Sequence, residues 1–297
     1  MRALLDRCAF PTDAPELVCA VSGGADSLAL LVLAAAAARA TGAAVCAVHV
    51  DHGIRPGSHV EADVVAAAAA RFGTAFRAER VTVPAGPNLE ARARAARYAV
   101  LPPDVLTGHT ADDQAETILI NLLRGAGLDG LAGMPPVRRP LLGLRRSETV
   151  GLCAHLGLRP VEDPSNADPA HLRNRVRHEL VPLLAELARR DPVPVLVRQA
   201  DLLRDEAAEL DRAAVGVDPT DARALASAPV AVARRAVRAW LRAGWDRGHP
   251  PDAAAVARVL AVARGEVRSA DVAGGWRVTR SGGRLRLVAP GVAPPDR

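Results

Sequence analysis

Three carboxylates fall within five residues at Asp112, Asp113 and Glu116, directly after Gly108-His109-Thr110-Ala111. On a helix, Asp113 and Glu116 share a face at i,i+3, and Asp112 and Glu116 do so at i,i+4. Thr110 with Asp113 three residues on reads as a capping box, which accounts for one acid. Three acids exceed what capping needs, so the cluster suits a cation: a metal, or the ammonium group of a substrate. His109 lies one turn away and is a structural histidine, a proton acceptor or a phosphate contact; its residue type alone does not choose.

A second group is Ser22-Gly23-Gly24-Ala25-Asp26-Ser27, between an apolar run and an alanine-rich helical stretch. Paired glycines let a backbone approach a phosphate, and the amides opening a helix are anion donors. Ser22 and Ser27 add hydroxyl donors, and Asp26 is placed to hold magnesium on the same phosphates. The plainer alternative is a tight strand-to-helix turn with Ser or Asp as cap. A Walker-type loop is excluded, because the chain has no lysine: all 38 basic residues are arginine, against 33 acids.

These groups need elements to position them. Strands are expected at Leu17–Val21, Ala44–Val50, Phe76–Val83 and Asp104–Gly108, alternating with helices at Ser27–Ala40, Ser58–Phe72, Leu89–Val100 and Asp112–Arg124. Such alternation implies an α/β fold, a parallel sheet with helices on both faces, and ligands bind beyond the carboxyl ends of its strands. Helices follow at Arg145–Gly157 and His171–Leu187. The composition break Arg189–Pro194 suggests two domains, 1–190 and 191–297. The second is mainly helical (Val195–Val215, Asp221–Ala243, Pro251–Arg264) and closes in a β-hairpin, Trp276–Arg280 and Arg284–Val288 around Ser-Gly-Gly.

Composition narrows the partners. Seven aromatics (3 Trp, 1 Tyr, 3 Phe) are too few for base-stacking platforms. Residues 1–190 carry 21 Arg against 20 acids and the remainder 17 against 13, so the excess positive charge sits mainly in the second domain. Four cysteines without a C-x-x-C pair read as thiols, Cys19 and Cys46 buried. The amino terminus lacks a signal-peptide core, and the longest apolar run, Leu28 to Ala38, is too short to span a bilayer. A cytoplasmic protein without membrane attachment is expected. The oligomeric state stays open, a homodimer among the options.

The S-G-G-x-D-S loop resembles that of the N-type ATP pyrophosphatases (PP-loop enzymes). HVDHGIRPGS (49–58), NLEARARAARY (88–98), GHTADDQAET (108–117), LLRGAGLDGLAGMPP (122–136), RPLLGLRR (139–146), EDPSN (162–166) and RNRVRHELVPLL (173–184) follow in order. Together they resemble the tRNA(Ile)-lysidine synthetase family over roughly the first 190 residues. That resemblance implies a carbon–nitrogen ligase using ATP and magnesium. It would adenylate the C2 oxygen of the wobble cytidine in the CAU-anticodon isoleucine tRNA, and free L-lysine would then attack C2. Carried over, Ser22, Gly23, Gly24, Ala25, Asp26 and Ser27 hold ATP. Asp113 and Glu116 receive lysine ammonium groups, with His109 completing the substrate site, and Arg173 contacts phosphate or the activated intermediate. Longer members have a further carboxy-terminal domain that helps grip tRNA, so a compact version is implied here.

Arginine clusters mark expected RNA contacts: Arg138, Arg139, Arg145 and Arg146, and the helix face formed by Arg234, Arg235, Arg238 and Arg242, backed by Val237, Trp240 and Leu241. A solvated amphipathic helix explains that face equally well. Two other readings of the chain stand beside the synthetase. A sulfur-transferring tRNA thiolase would want paired, accessible cysteines. A non-catalytic nucleotide- or RNA-binding module would have no need of the acid pair.

Overall fold

The computed structural model describes the chain apart from residues 52, 54–58, 85, 87–88, 162–167, 245–250 and 292–297. EDPSN and most of the HVDHGIRPGS stretch beyond His49–Asp51 therefore lie outside the described residues, as do the Ser58 start of the second expected helix and Asn88. The chain divides into two units, Met1–Leu202 and Leu203–Arg297.

In the first unit a short helix, α1 (Arg2–Leu5), precedes β1 (Glu16–Ala20), α2 (Ala25–Thr41), β2 (Ala44–Asp51), α3 (His59–Phe72), β3 (Ala75–Arg80), α4 (Leu89–Val100), β4 (Leu106–Thr107) and α5 (Ala111–Leu123). The four strands pair in parallel in the order β3-β2-β1-β4. Side chains alternate across a strand, and here they sort into two cores. Leu17 and Cys19 of β1 with Val45 and Ala47 of β2 pack among residues of α2 and α3. Val18, Ala20, Cys46 and Val48 pack on the other face with Tyr98, Leu101 and Val105. The sheet is thus covered by helices on both faces. α2 is the most deeply buried helix, because Leu28, Leu30, Leu31 and Leu33 surround its axis with apolar surface and are all fully enclosed.

The strand order creates the site. From β1 the chain winds outward through β2 to β3, then returns to place β4 on the other side of β1. The crevice between the carboxyl ends of β1 and β4 is a topological switch point, where α/β sheets bind ligands. The glycine loop leaves β1 there, and His109 to Glu116 leave β4 there.

The polypeptide then forms α6 (Leu128–Leu131), α7 (Arg146–His155) and α8 (Leu172–Arg175). A π-helical turn (Val176–Leu180) leads directly into α9 (Val181–Ala188). The expected single helix His171–Leu187 is therefore continuous in path but π-wound in the middle. At the Arg189–Pro194 break Arg189 adopts a left-handed conformation (φ 51°) and ends α9. α10 begins at Val193 and runs to Val215, so the division between the units falls inside this helix rather than at the proline-rich break.

The second unit contains α11 (Ala222–Ser227), α12 (Val230–Gly244), α13 (Ala253–Arg264) and strands β5 (Ser269–Asp271), β6 (Arg277–Ser281) and β7 (Arg284–Val288). The helix expected over Asp221–Ala243 is two, because Pro229 lacks the amide that an uninterrupted helix needs. Its core gathers Leu225, Val237, Leu241, Val256, Val259, Leu260, Val278 and Leu285. The expected hairpin is present as β6 and β7, turning at Gly282 and Gly283 with φ of 56° and 76°. β5 adds an antiparallel third strand that the hairpin signature did not reveal.

Candidate active site

The glycine loop is shaped by its own hydroxyls. Ser27 Oγ donates to the Gly24 carbonyl (2.9 Å) and accepts from the Ser22 amide (3.1 Å). Gly23 sits at φ 87°, a conformation that disfavours any residue with a Cβ. Gly24 caps α2, so the amides of Ala25, Asp26 and Ser27 open the helix without intrahelical acceptors. Ser27 thus organises the loop from inside, while Ser22 is exposed at its rim.

Across the crevice, Asp113 divides its two oxygens. Oδ2 accepts from the Thr110 amide and hydroxyl, each at 2.9 Å, forming the expected capping box. Oδ1 faces the site, accepting from Arg146 Nη2 at 2.8 Å and Arg173 Nη2 at 3.3 Å. One carboxylate therefore serves as helix cap and as acceptor for two guanidiniums of the crevice. Glu116, whose side chain is 2% exposed, accepts from Arg146 Nη1 (3.0 Å), Arg173 Nε (2.8 Å) and Arg177 Nε (2.7 Å). Burial pushes both acids up, but the guanidiniums more than offset it, and both stay below the usual carboxylate range.

Asp112 takes no part in this cluster. Its carboxylate receives Arg145 through Nε (3.1 Å) and Nη2 (2.9 Å) and caps α7 through the Arg146 amide (2.7 Å). Arg145 also pairs with Asp191. This clamp fixes the start of α7 against the start of α5 and delivers Arg146 into the crevice. There the Arg146 guanidinium touches three acids, each through a different nitrogen: Asp26 by Nε (3.3 Å), Glu116 by Nη1 and Asp113 by Nη2. Asp26 also receives the Thr149 hydroxyl. Burial and the neighbouring Asp113 outweigh the Thr149 and Arg146 contacts, so its pKa is raised.

Arg145 and Arg146, expected among the RNA contacts, are placed differently: their guanidiniums are committed to acids of the first unit. Arg138 and Arg139 instead line a cavity of about 250 Å³ with Arg94, Tyr98, Val105 and Thr107. Thr107 Oγ1 lies 2.8 Å from His109 Nδ1, linking the cavity wall to that histidine. Burial, reinforced by Arg139, Arg173 and Arg94 against the opposing pull of Asp113, brings the His109 pKa down to about 4. The ring is therefore neutral at pH 7.

Arg177, which belongs to no motif of its own, joins the site through Glu116. It lies four residues after Arg173, the spacing that brings two side chains to one helix face, and that periodicity was the available signal. In the second unit, Arg234 and Arg242 are exposed, whereas Arg235 pairs with Asp211 (2.9 Å) and the Ala207 carbonyl (3.1 Å). Arg238 is half-buried. Val237 and Leu241 are buried on the opposite side, as the amphipathic pattern requires.

Comparison with known proteins agrees with the geometry. A family model described as a PP-loop domain matches residues 2–184. The chain is 46% identical over 249 residues to tRNA(Ile)-lysidine synthase of Nocardia farcinica, covering 78% of this chain and 77% of that protein. It is 42% identical over 316 residues to the enzyme of the same name from Salinispora tropica, covering 95% and 93%. Among solved structures, a U34-tRNA thiolase from Methanococcus maripaludis with a [4Fe-4S] cluster shares the fold. Its TM-score is 0.55 at 18% identity, covering 68% of this chain and 78% of that one. The chain belongs to the tRNA(Ile)-lysidine synthase family, with a PP-loop domain at its amino-terminal end.

Proposed function

We propose that this chain ligates free L-lysine to C2 of the wobble cytidine in the CAU-anticodon isoleucine tRNA, through an adenylated cytidine, releasing pyrophosphate and AMP. The observation that carries the reading is the single guanidinium of Arg146, which spans Asp26 of the glycine loop and the Asp113/Glu116 pair. A phosphate site and a cation site one side chain apart are what the second step requires, because the attacking amine must reach a carbon that bears the nucleotide.

The chemistry follows from the residues. The cytosine C2 carbonyl resists displacement until its oxygen carries AMP. The loop amides at Gly24 to Ser27 stabilise charge on the departing pyrophosphate. Asp26 suits magnesium bound with the nucleotide: its side chain is one-quarter exposed, and magnesium needs few protein carboxylates when phosphates supply the other oxygens. Magnesium held there would neutralise charge on the phosphates. Asp113 and Glu116 hold the lysine ammonium. One amine proton must leave before attack; the N–C2 bond then forms as the C2–O2 bond breaks, and AMP takes the electron pair. His109, kept neutral by burial, lies within electrostatic reach of Asp113, and the incoming phosphate's negative charge would raise its affinity for that proton. The cavity beside it, walled by Arg94, Arg138 and Arg139, suits the wobble nucleotide and its phosphate. The first unit acts as the catalytic domain and the second as the tRNA-binding part, with the reaction in the cytoplasm.

The thiolase reading fares worse on thiol chemistry. Cys19, Cys46 and Cys153 are buried and Cys8 is half-buried, and burial pushes all four thiols up, Cys8 and Cys153 to about 11. A binding module without catalysis leaves the acid pair unexplained. Incubation with ATP, magnesium, labelled lysine and bulk tRNA separates the three: label should enter the CAU-reading isoleucine tRNA, and intact protein without lysine-dependent labelling would overturn the synthetase.

A further inference from the structure

The acid pair that should receive lysine already has cations on it. Asp26, Asp113 and Glu116 face Arg146, Arg173 and Arg177, so three carboxylates meet three guanidiniums in a largely buried cluster. Adding an ammonium to this balanced set would leave an uncompensated buried positive charge, which is costly. Lysine can enter at low cost only if a guanidinium withdraws. Arg173 and Arg177 reach the acid pair from α8 and the π-helical turn. Of the three, Arg146 is the one that also touches the glycine loop, where the nucleotide's negative charges arrive. Its backbone is pinned by Asp112, but its guanidinium sits on a flexible stem.

We propose that Arg146 is a positioning residue that makes lysine binding depend on nucleotide: phosphates at Ser22–Ser27 draw its guanidinium away from Asp113 and Glu116 and leave those oxygens to the lysine ammonium. This rests on the assignment of Asp113 and Glu116 as the ammonium site. It predicts ordered loading, ATP first. Without ATP the amine is kept away from a site that has no electrophile. By linkage, lysine must tighten nucleotide by the same factor.

Equilibrium dialysis with labelled lysine tests this on the intact protein, with and without α,β-methylene ATP and magnesium. Wild type should bind lysine roughly tenfold more tightly with the analogue, within the usual range of coupling between sites. Arg146→Gln should bind lysine better than wild type without nucleotide, and the ratio should fall to about one, a gain that damage to the fold would not produce. Arg146→Lys, which keeps the charge but not the three-way fork, should retain part of the coupling. Equal lysine affinity in wild type with and without the analogue overturns the inference and leaves the ammonium site standing. Undiminished coupling in Arg146→Gln also overturns it. Absence of lysine binding in either condition overturns both readings.

Discussion

Gly108, at the end of β4, lies against Asp26 of the glycine loop so closely that a Cβ there would sit 2.7 Å from the Asp26 carbonyl oxygen. Its next neighbours would be the Asp26 carbonyl carbon at 2.9 Å and the Ser27 amide nitrogen at 3.1 Å. These are backbone atoms that cannot rotate aside. The approach of the two strand ends, and hence of the two halves of the site, depends on a missing side chain.

Gly108→Ala should therefore displace the glycine loop. The expected overpacking penalty is ~1–3 kcal/mol, with KM for ATP rising more than KM for lysine. Gly151, on an exposed turn of α7 with nothing within 4 Å of its absent Cβ, is the matched control. Gly151→Ala should stabilise by up to about 1 kcal/mol through helix propensity alone. Thermal melts of both variants check the contrast; equal behaviour would refute the packing account.

Asp113 and Glu116 should separate by position. Asp113→Asn keeps an acceptor for the Thr110 cap but loses the charge, so nucleotide affinity should be largely kept while KM for lysine rises. Glu116→Ala removes a fully buried carboxylate from half-buried Arg173 and Arg177, which keep Asp113, and should cost ~1–3 kcal/mol of stability. Denaturant titration and paired substrate titrations read the two effects. Equal loss of ATP and lysine binding in Asp113→Asn would contradict its role.

The pH dependence of stability carries the signature of His109. Its folded pKa, about 4, lies below the ordinary value near 6.5. Between those values the unfolded chain binds a proton that the folded protein does not, so this contribution to stability falls as pH drops from ~6.5 towards 4. His109→Gln should show a shallower loss of melting temperature between pH 7.5 and 5 than wild type. Identical slopes would show that the ring is not held neutral by burial.

The exposed arginines of α12 give a salt test. Arg234→Ala with Arg242→Ala should weaken tRNA binding similarly for different tRNAs. The slope of log affinity against log salt should flatten by about 0.7–0.9 for each phosphate that the variant no longer neutralises. An unchanged slope would leave this helix as a solvated amphipathic face.

Much of the architecture was written locally. Short apolar runs alternating with alanine-rich helices specified the parallel sheet, Ser-Gly-Gly specified the hairpin turn, and Thr110-x-x-Asp113 specified its own cap. The motif order from Ser22 to Leu184 specified the family, because the site residues follow β1 and β4 within a few positions. What the sequence could not show was partnership over distance. Arg146 read as one more basic residue beside Arg145, and only the switch from β3 back across β1 to β4 brings it onto Asp26, 120 residues earlier, and onto Asp113 and Glu116. Likewise Asp112 and Asp113 are neighbours of one type, yet one clamps α7 and the other faces the arginines of the crevice. Helical geometry turns adjacent side chains about 100° apart, and which direction meets a guanidinium is decided by the elements packed opposite.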